Sequence, residues 1–183
     1  CLIITAFIGC KKAVKEYKTW EVYSGDPKGT KYSSLDQIDK NNVSQLEKVW
    51  TYQSGDMREV PRTTIECNPI IIGHKMFITS PGLKVIALNA ASGEELWVFD
   101  PYGGESSSGV NRGVTYWSDG MQERLFYVAG SSLYCLNPNT GLLIESFADS
   151  GRVDLYKNLD RDANFTWVTA ATPGIIYKDL IIL

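Results

Sequence analysis

"KMFITSPGLKVIALNAASGEELWVF", Lys75 to Phe99, and "RLFYVAGSSLYCLNPNTGLLIESF", Arg124 to Phe147, are two versions of one pattern. Each runs strand, turn, strand, then Leu-Asn, a Ser/Thr-Gly turn, and a further strand that closes on phenylalanine. Leu88-Asn89 answers Leu136-Asn137, and Ser92-Gly93 answers Thr140-Gly141. "KDLIIL", Lys178 to Leu183, reads as the opening strand of a third copy. The second copy lacks the tryptophan that ends the first: Trp97 of "SGEELW" is answered by Glu145.

A repeat of about fifty residues made of about four short strands is the mark of a β-propeller blade. A single blade leaves its faces bare, so stacking neighbouring blades is what buries the core. The expected fold is therefore all-β: the first two to three four-stranded blades of a partial β-propeller. Outward from the repeat, "VWTYQ", "NPIII" and "VTYW" also read as strands, as does "LLIESF" at the end of its second copy, while "VDLYKNLDRDANF" reads as a loop or short helical turn. A short N-terminal helix is expected from Asn42 to about Lys48, capped by Asn41 or Asn42, with Val43, Leu46 and Trp50 on its apolar face.

Composition fits a globular protein, with 44% apolar and 11% aromatic residues. The net charge of -3 comes without any concentrated basic patch, which excludes nucleic acid as the main partner. The start, "CLIITAFIGCKK", is a continuous apolar run from Leu2 to Ile8 that closes on Gly9-Cys10. It reads as the tail of a secretory signal and resembles the lipobox of bacterial lipoproteins, with Cys10 as the lipidated residue. Residues 1–10 are accordingly expected to be a truncated signal peptide, and 11–183 the propeller part, cut off inside the apolar strand pattern at Leu183. Of the four cysteines, Cys67 and Cys135 lie in strand patterns and are expected as two free, buried thiols. The lone His74 is expected in an exposed turn.

"GVNRGVTYW", Gly109 to Trp117, delivers a single arginine, Arg112, at the start of a strand, just after the polar stretch "GGESSSG". The residues alone allow a surface-loop arginine or a clamp for an anionic ligand.

Here a resemblance enters. "W..YSGD..GTKYSSLDQI...NVSQLEKVW.Y.SGD", Trp20 to Asp56, resembles the opening of pyrroloquinoline quinone (PQQ)-dependent quinoprotein dehydrogenases. "ALNAASGEELW", Ala87 to Trp97, resembles their tryptophan-docking repeat, and "NRGVTYW" and "ATPGIIYKDLIIL" follow in the family's order. Within the family the pattern is nearest to the membrane-associated glucose and polyol branch. The resemblance implies an eight-bladed propeller that holds PQQ near its axis with a Ca²⁺ ion. It implies oxidation of an alcohol or sugar hydroxyl by hydride transfer to the quinone, while an aspartate takes the proton. It further implies a quinone or cytochrome electron acceptor and a periplasmic location, lipid-anchored to a bacterial membrane.

Residue by residue, Arg112 matches the arginine that binds a PQQ carboxylate, a role suited to a planar charged fork. Glu66 of "IECNP" matches a glutamate on the cofactor's polar edge. A cofactor-contacting threonine lines up with Ala171 here, and Thr172, one position on, is the substitute. Relatives with adjacent cysteines before the arginine have Ser106 and Ser107 in their place here, and the glucose-oxidising relatives' histidine is Ser108. The calcium ligands and the catalytic aspartate correspond to sequence beyond Leu183, so this chain alone is expected to be inactive, with no catalytic or metal-ligating residue of its own. Two other readings stand beside this one. A non-enzymatic lipoprotein propeller scaffold of the outer-membrane assembly type would use similar repeats without a cofactor. A sugar-hydrolysing propeller would need converging carboxylates, for which only Glu66, Glu94 and Glu95 are available.

Overall fold

The structure is a computed structural model that describes residues 18–160 and 167–183. The signal-like run and Cys10 lie outside the described residues. Strands β1 (Ile70–Ile72), β2 (Lys75–Thr79), β3 (Val85–Asn89) and β4 (Glu95–Phe99) form one antiparallel sheet in that order. Strands β5 (Thr115–Ser118), β6 (Glu123–Ala129), β7 (Ser132–Leu136) and β8 (Arg152–Asp154) form a second sheet with the same meander. A hairpin of β9 (Ile175–Tyr177) and β10 (Leu180–Ile182) opens a third. Two four-stranded blades and the beginning of another are thus present, as the repeat predicts. "KDLIIL" is the second strand of its blade, since β9 precedes it and pairs with it from Tyr177↔Leu180 to Ile175↔Ile182.

The burial pattern explains why the middle strands read as unbroken apolar runs. In β3 the residues Val85, Ile86, Ala87 and Leu88 are all buried, and in β7 so are Leu133, Tyr134, Cys135 and Leu136. A strand covered on both faces has no solvent side to carry polar residues. Between the first two sheets lies one core, in which Ile70, Phe77, Val85 and Ala87 meet Leu125, Tyr127, Tyr134 and Leu136. On the far face of the second sheet, Phe126, Val128, Leu133 and Cys135 pack towards Ile176 and Ile181 of the third. The second sheet is thereby a layer with both faces covered by its neighbours, whereas Ile175, Tyr177, Leu180 and Ile182 of the third stand exposed.

The two Ser/Thr-Gly turns do the docking. Gly93 and Gly141 have φ of +73° and +72°, a left-handed conformation that favours glycine. A Cβ on Gly141 would lie 2.6 Å from the ring of Trp97, so the indole of the first blade sits directly on the turn of the second. The Trp97 Nε1–H donates to the carbonyl of Pro138 at 3.1 Å and fixes the contact. Gly93 is covered in the same way by Trp50, again at 2.6 Å. "EKVWTY", Glu47 to Tyr52, is therefore another copy of "EELWVF", Glu94 to Phe99.

That finding corrects the expected N-terminal helix. Only a single 3-10 turn forms, Val43–Gln45, and the side chain of Asn42 makes no cap hydrogen bond. Asp39 instead shapes the turn leading into it, with Oδ1 accepting from the amides of Asn41 (2.7 Å) and Asn42 (3.1 Å). Trp50, counted on that helix's apolar face, is drawn instead onto Gly93, a tertiary contact that outweighs weak helical propensity. "VWTYQ" joins no sheet among the described residues.

A second correction concerns the fourth strand of the second blade. "LLIESF" contributes only the bridge Leu143↔Leu136. The chain then turns out through Glu145–Phe147 and returns as β8, pairing Tyr134↔Arg152 and Ser132↔Asp154. The equivalent place in the first blade already holds a register shift between Ala87 and Leu88. The same irregularity is enlarged in the second copy, where the tryptophan is missing, so the first residues of "VDLYKNL" are strand rather than loop.

His74 stands exposed in the β1–β2 turn, as expected. Cys135 is fully buried and free, whereas Cys67 is only half-buried, its Sγ accepting from the Thr79 amide at 3.1 Å. Burial pushes the Cys135 thiol up to about 11, with Arg124 opposing weakly, and burial also raises Cys67 against the Thr79 hydrogen bonds. The thiolate is the reactive form, so iodoacetamide at pH 8 should leave Cys135 unmodified until the protein is unfolded. Peptide mapping that finds native Cys135 alkylated as fast as a free thiol would contradict this packing. No helix among the described residues is long and apolar enough to cross a membrane.

Candidate functional site

Three short segments lead into the first strands of the three sheets, and the backbone ties them side by side. Asn68 precedes β1, Arg112 precedes β5 and Ala171 precedes β9. The Asn68 amide donates to the Arg112 carbonyl at 3.0 Å, and the Arg112 amide donates to the Ala171 carbonyl at 2.7 Å. Arg112 is thus the middle rung of a ladder that joins successive blades at one level.

The residues around it fix that rung. Asn111 is buried, its Nδ2 donating to the Val128 carbonyl and its Oδ1 accepting from the Gly113 amide, both at 2.8 Å. The Asn111 carbonyl accepts from Thr79 Oγ1 at 3.3 Å. Gly113 has φ of +127°, and a Cβ there would meet the Asn68 carbonyl oxygen at 2.8 Å. Only glycine lets the two lead-in segments close to this distance. Gly113→Ala is therefore expected to destabilise by about 2 kcal/mol through backbone strain, read as a lowered urea midpoint. An unchanged midpoint would mean the ladder can shift without cost.

From this rigid base the Arg112 side chain reaches Glu66, its Nη2 lying 3.1 Å from Oε2. The side chains remain 41% and 37% exposed, so the pair faces solvent and neither partner is locked away. Ion pairs this exposed contribute about 0–1 kcal/mol, so the guanidinium can turn to a better partner at little cost. The described residues give Arg112 no other side-chain partner. Thr172, exposed, follows Ala171 on the third rung. It lines a groove of about 390 Å³ together with Tyr23, Asp26, Thr115 and Ile175. Of Arg112, Glu66 and Thr172, the structure brings the first two into contact; Thr172 follows Ala171, whose carbonyl meets the Arg112 amide, and the groove it lines includes neither Arg112 nor Glu66. Asn111, the residue before the arginine, is what anchors it, through buried contacts that the sequence does not display.

Arg112 and Glu66 together offer a guanidinium fork and a carboxylate from adjacent blades. Among the described residues, no group of three or more His, Cys, Asp or Glu side chains is placed to hold a metal ion.

Comparison with known proteins agrees with this architecture. Residues 20–183 match the family described as PQQ: glucose/ethanol/alcohol dehydrogenase, β-propeller domain. The chain belongs to this PQQ dehydrogenase β-propeller family. It is 28% identical over 180 residues to the quinoprotein glucose dehydrogenase of Escherichia coli (strain K12), a match covering 88% of this chain and 23% of that protein. It is 30% identical over 189 residues to quinoprotein glucose dehydrogenase A of Acinetobacter calcoaceticus, covering 90% and 24%. The quinohemoprotein alcohol dehydrogenase of Comamonas testosteroni superposes with a TM-score of 0.74 at 22% identity, over 91% of this chain and 23% of that one, which shows the shared fold. The chain thus spans about a quarter of the length of the curated relatives it matches.

Proposed function

We propose that this PQQ-family propeller segment is the N-terminal part of a PQQ- and calcium-dependent dehydrogenase that oxidises an alcohol or sugar hydroxyl. In this reading Arg112, Glu66 and Thr172 hold the polar edge of the cofactor. The observation that carries it is the half-exposed Arg112–Glu66 pair, held at 3.1 Å on a backbone ladder that joins three blades. The donor set fits a tricarboxylic, planar heterocycle. A guanidinium pairs with a carboxylate through parallel N–H···O bonds, a carboxylate accepts from a ring N–H, and a hydroxyl does either.

When bound, PQQ supplies the ortho-quinone that takes up the hydride, and the protein supplies orientation and field. Arg112 would orient the ligand by gripping one carboxylate, and the Asn111 and Gly113 contacts would keep that grip from drifting. Glu66 would share the guanidinium while accepting from the ligand, a small rearrangement because the pair is only weakly self-stabilised. We assign the calcium ligands and the proton-accepting aspartate to sequence beyond the segment described here. We likewise propose electron transfer to a quinone or cytochrome and a periplasmic location with Cys10 as the lipid anchor.

The reading is tested by two preparations, the full-length dehydrogenase and the present chain, each supplied with PQQ and Ca²⁺ in a dye-linked assay over a panel of alcohols and sugars. Turnover by the full-length protein and none by the present chain is the expected result. A full-length protein that neither binds PQQ nor oxidises any of the panel would favour the non-enzymatic scaffold.

A further inference from the structure

Glu66 and Arg112 sit on different lead-in loops, and a second arginine joins those loops. Arg58 lies in the loop that ends at Glu66. Its backbone closes a tight turn on Thr63, whose Oγ1 accepts from the Arg58 amide at 2.8 Å and whose amide donates to the Arg58 carbonyl at 3.0 Å. Thr63 is itself buried, three residues before Glu66. The neighbouring Asp56 ties the same loop to the first blade, its Oδ2 accepting from the Gly82 amide at 3.0 Å and from the Ser80 hydroxyl. From this base the Arg58 guanidinium crosses to the loop that ends at Arg112. Nη1 donates to the Ser106 hydroxyl, and Nη2 donates to the Ser107 carbonyl at 2.8 Å. Past Ser107 the loop is held by the Gly109 amide on the Pro81 carbonyl at 3.4 Å, and then by buried Asn111.

We infer that Arg58 is a positioning residue that sets the spacing of Glu66 and Arg112, and through it the affinity for PQQ. Both charged groups stand at the ends of loops whose other direct ties are the backbone ladder and the exposed Arg112–Glu66 pair itself. A fork that bonds a hydroxyl and a carbonyl on one loop, with its own backbone pinned on the other, converts two loops into one frame. Such preorganisation raises affinity by removing the cost of ordering on binding. Arg58 itself need not touch the ligand. This inference rests on the cofactor reading given above.

The test uses the full-length apoprotein titrated with free PQQ, following tryptophan fluorescence, with the thermal midpoint of the apoprotein as a second readout. The variants are Arg58→Ala, Arg58→Lys, Ser106→Ala, the Arg58→Ala/Ser106→Ala double variant and Arg112→Ala. Arg58→Ala should raise the PQQ Kd about tenfold while the apoprotein midpoint stays near that of the parent. Ser106→Ala, which removes one of the two bonds, should raise it about threefold and add nothing to Arg58→Ala. Lysine should restore part of the affinity, since it keeps the charge without the fork. Unchanged affinity in Arg58→Ala and Ser106→Ala, with Arg112→Ala weakened, would overturn the role of Arg58 alone. If Arg58→Ala fails to fold, Ser106→Ala carries the comparison. Unchanged affinity in Arg112→Ala would overturn the cofactor reading on which it stands.

Discussion

Trp97→Ala is expected to destabilise the full-length protein by about 3–5 kcal/mol, the range for removing a large aromatic from a packed site. The indole closes three contacts at once. It packs against Phe77 with ring centroids 5.8 Å apart, covers Gly141 of the next blade, and donates its N–H to the Pro138 carbonyl at 3.1 Å. Alanine would remove the bridging surface and leave the Pro138 carbonyl without that donor. Because the contact spans two blades, the loss falls on the interface that makes the repeat stable and not on one strand. Urea denaturation should show the midpoint falling; a change below about 1 kcal/mol would mean that the indole only decorates the sheet edge.

Arg112→Ala is expected to weaken PQQ binding by about 1.5–3 kcal/mol, the range for a hydrogen bond to a charged group. At about 1.4 kcal/mol per decade, this is roughly a tenfold to hundredfold rise in Kd. Stability should move far less, because the ion pair with Glu66 is exposed and the backbone ladder uses only the Arg112 amide and carbonyl. Arg112→Lys keeps the charge but loses the fork, so it should fall between the parent and alanine. A large loss of stability with unchanged affinity would reassign the guanidinium to structure.

The repeat made most of this fold legible. Leu-Asn followed by a Ser/Thr-Gly turn needs a left-handed glycine, and both Gly93 and Gly141 adopt one. The unbroken apolar runs of β3 and β7 marked the strands covered on both faces. Where the reading failed, distant contacts overruled local pattern. Trp50 satisfied a helical spacing, yet Gly93, far along the chain, offers it a docking turn. "LLIESF" has the composition of a strand, but without a tryptophan to dock it gives way after Leu143, and β8 takes over the edge. Neither outcome is encoded within the window that suggested it.

The site was legible in part for the same reason. Arg112 stood out because a lone arginine between Asn111 and Gly113 leads into a strand. Its partner Glu66 lies on another blade, so no spacing rule links them, and only the family resemblance pointed to it. The anchoring by Asn111 and the tie made by Arg58 depend on the backbone carbonyls of Val128 and Ser107, distant in the chain, which sequence does not display.

The most direct test is the distance between the Arg112 guanidinium and the carboxylates of PQQ in a crystal structure of the full-length holoenzyme. A separation of about 2.7–2.9 Å to one carboxylate, with Glu66 still beside the arginine, is the expected result. PQQ bound elsewhere, with Arg112 facing only Glu66 and solvent, would contradict the account.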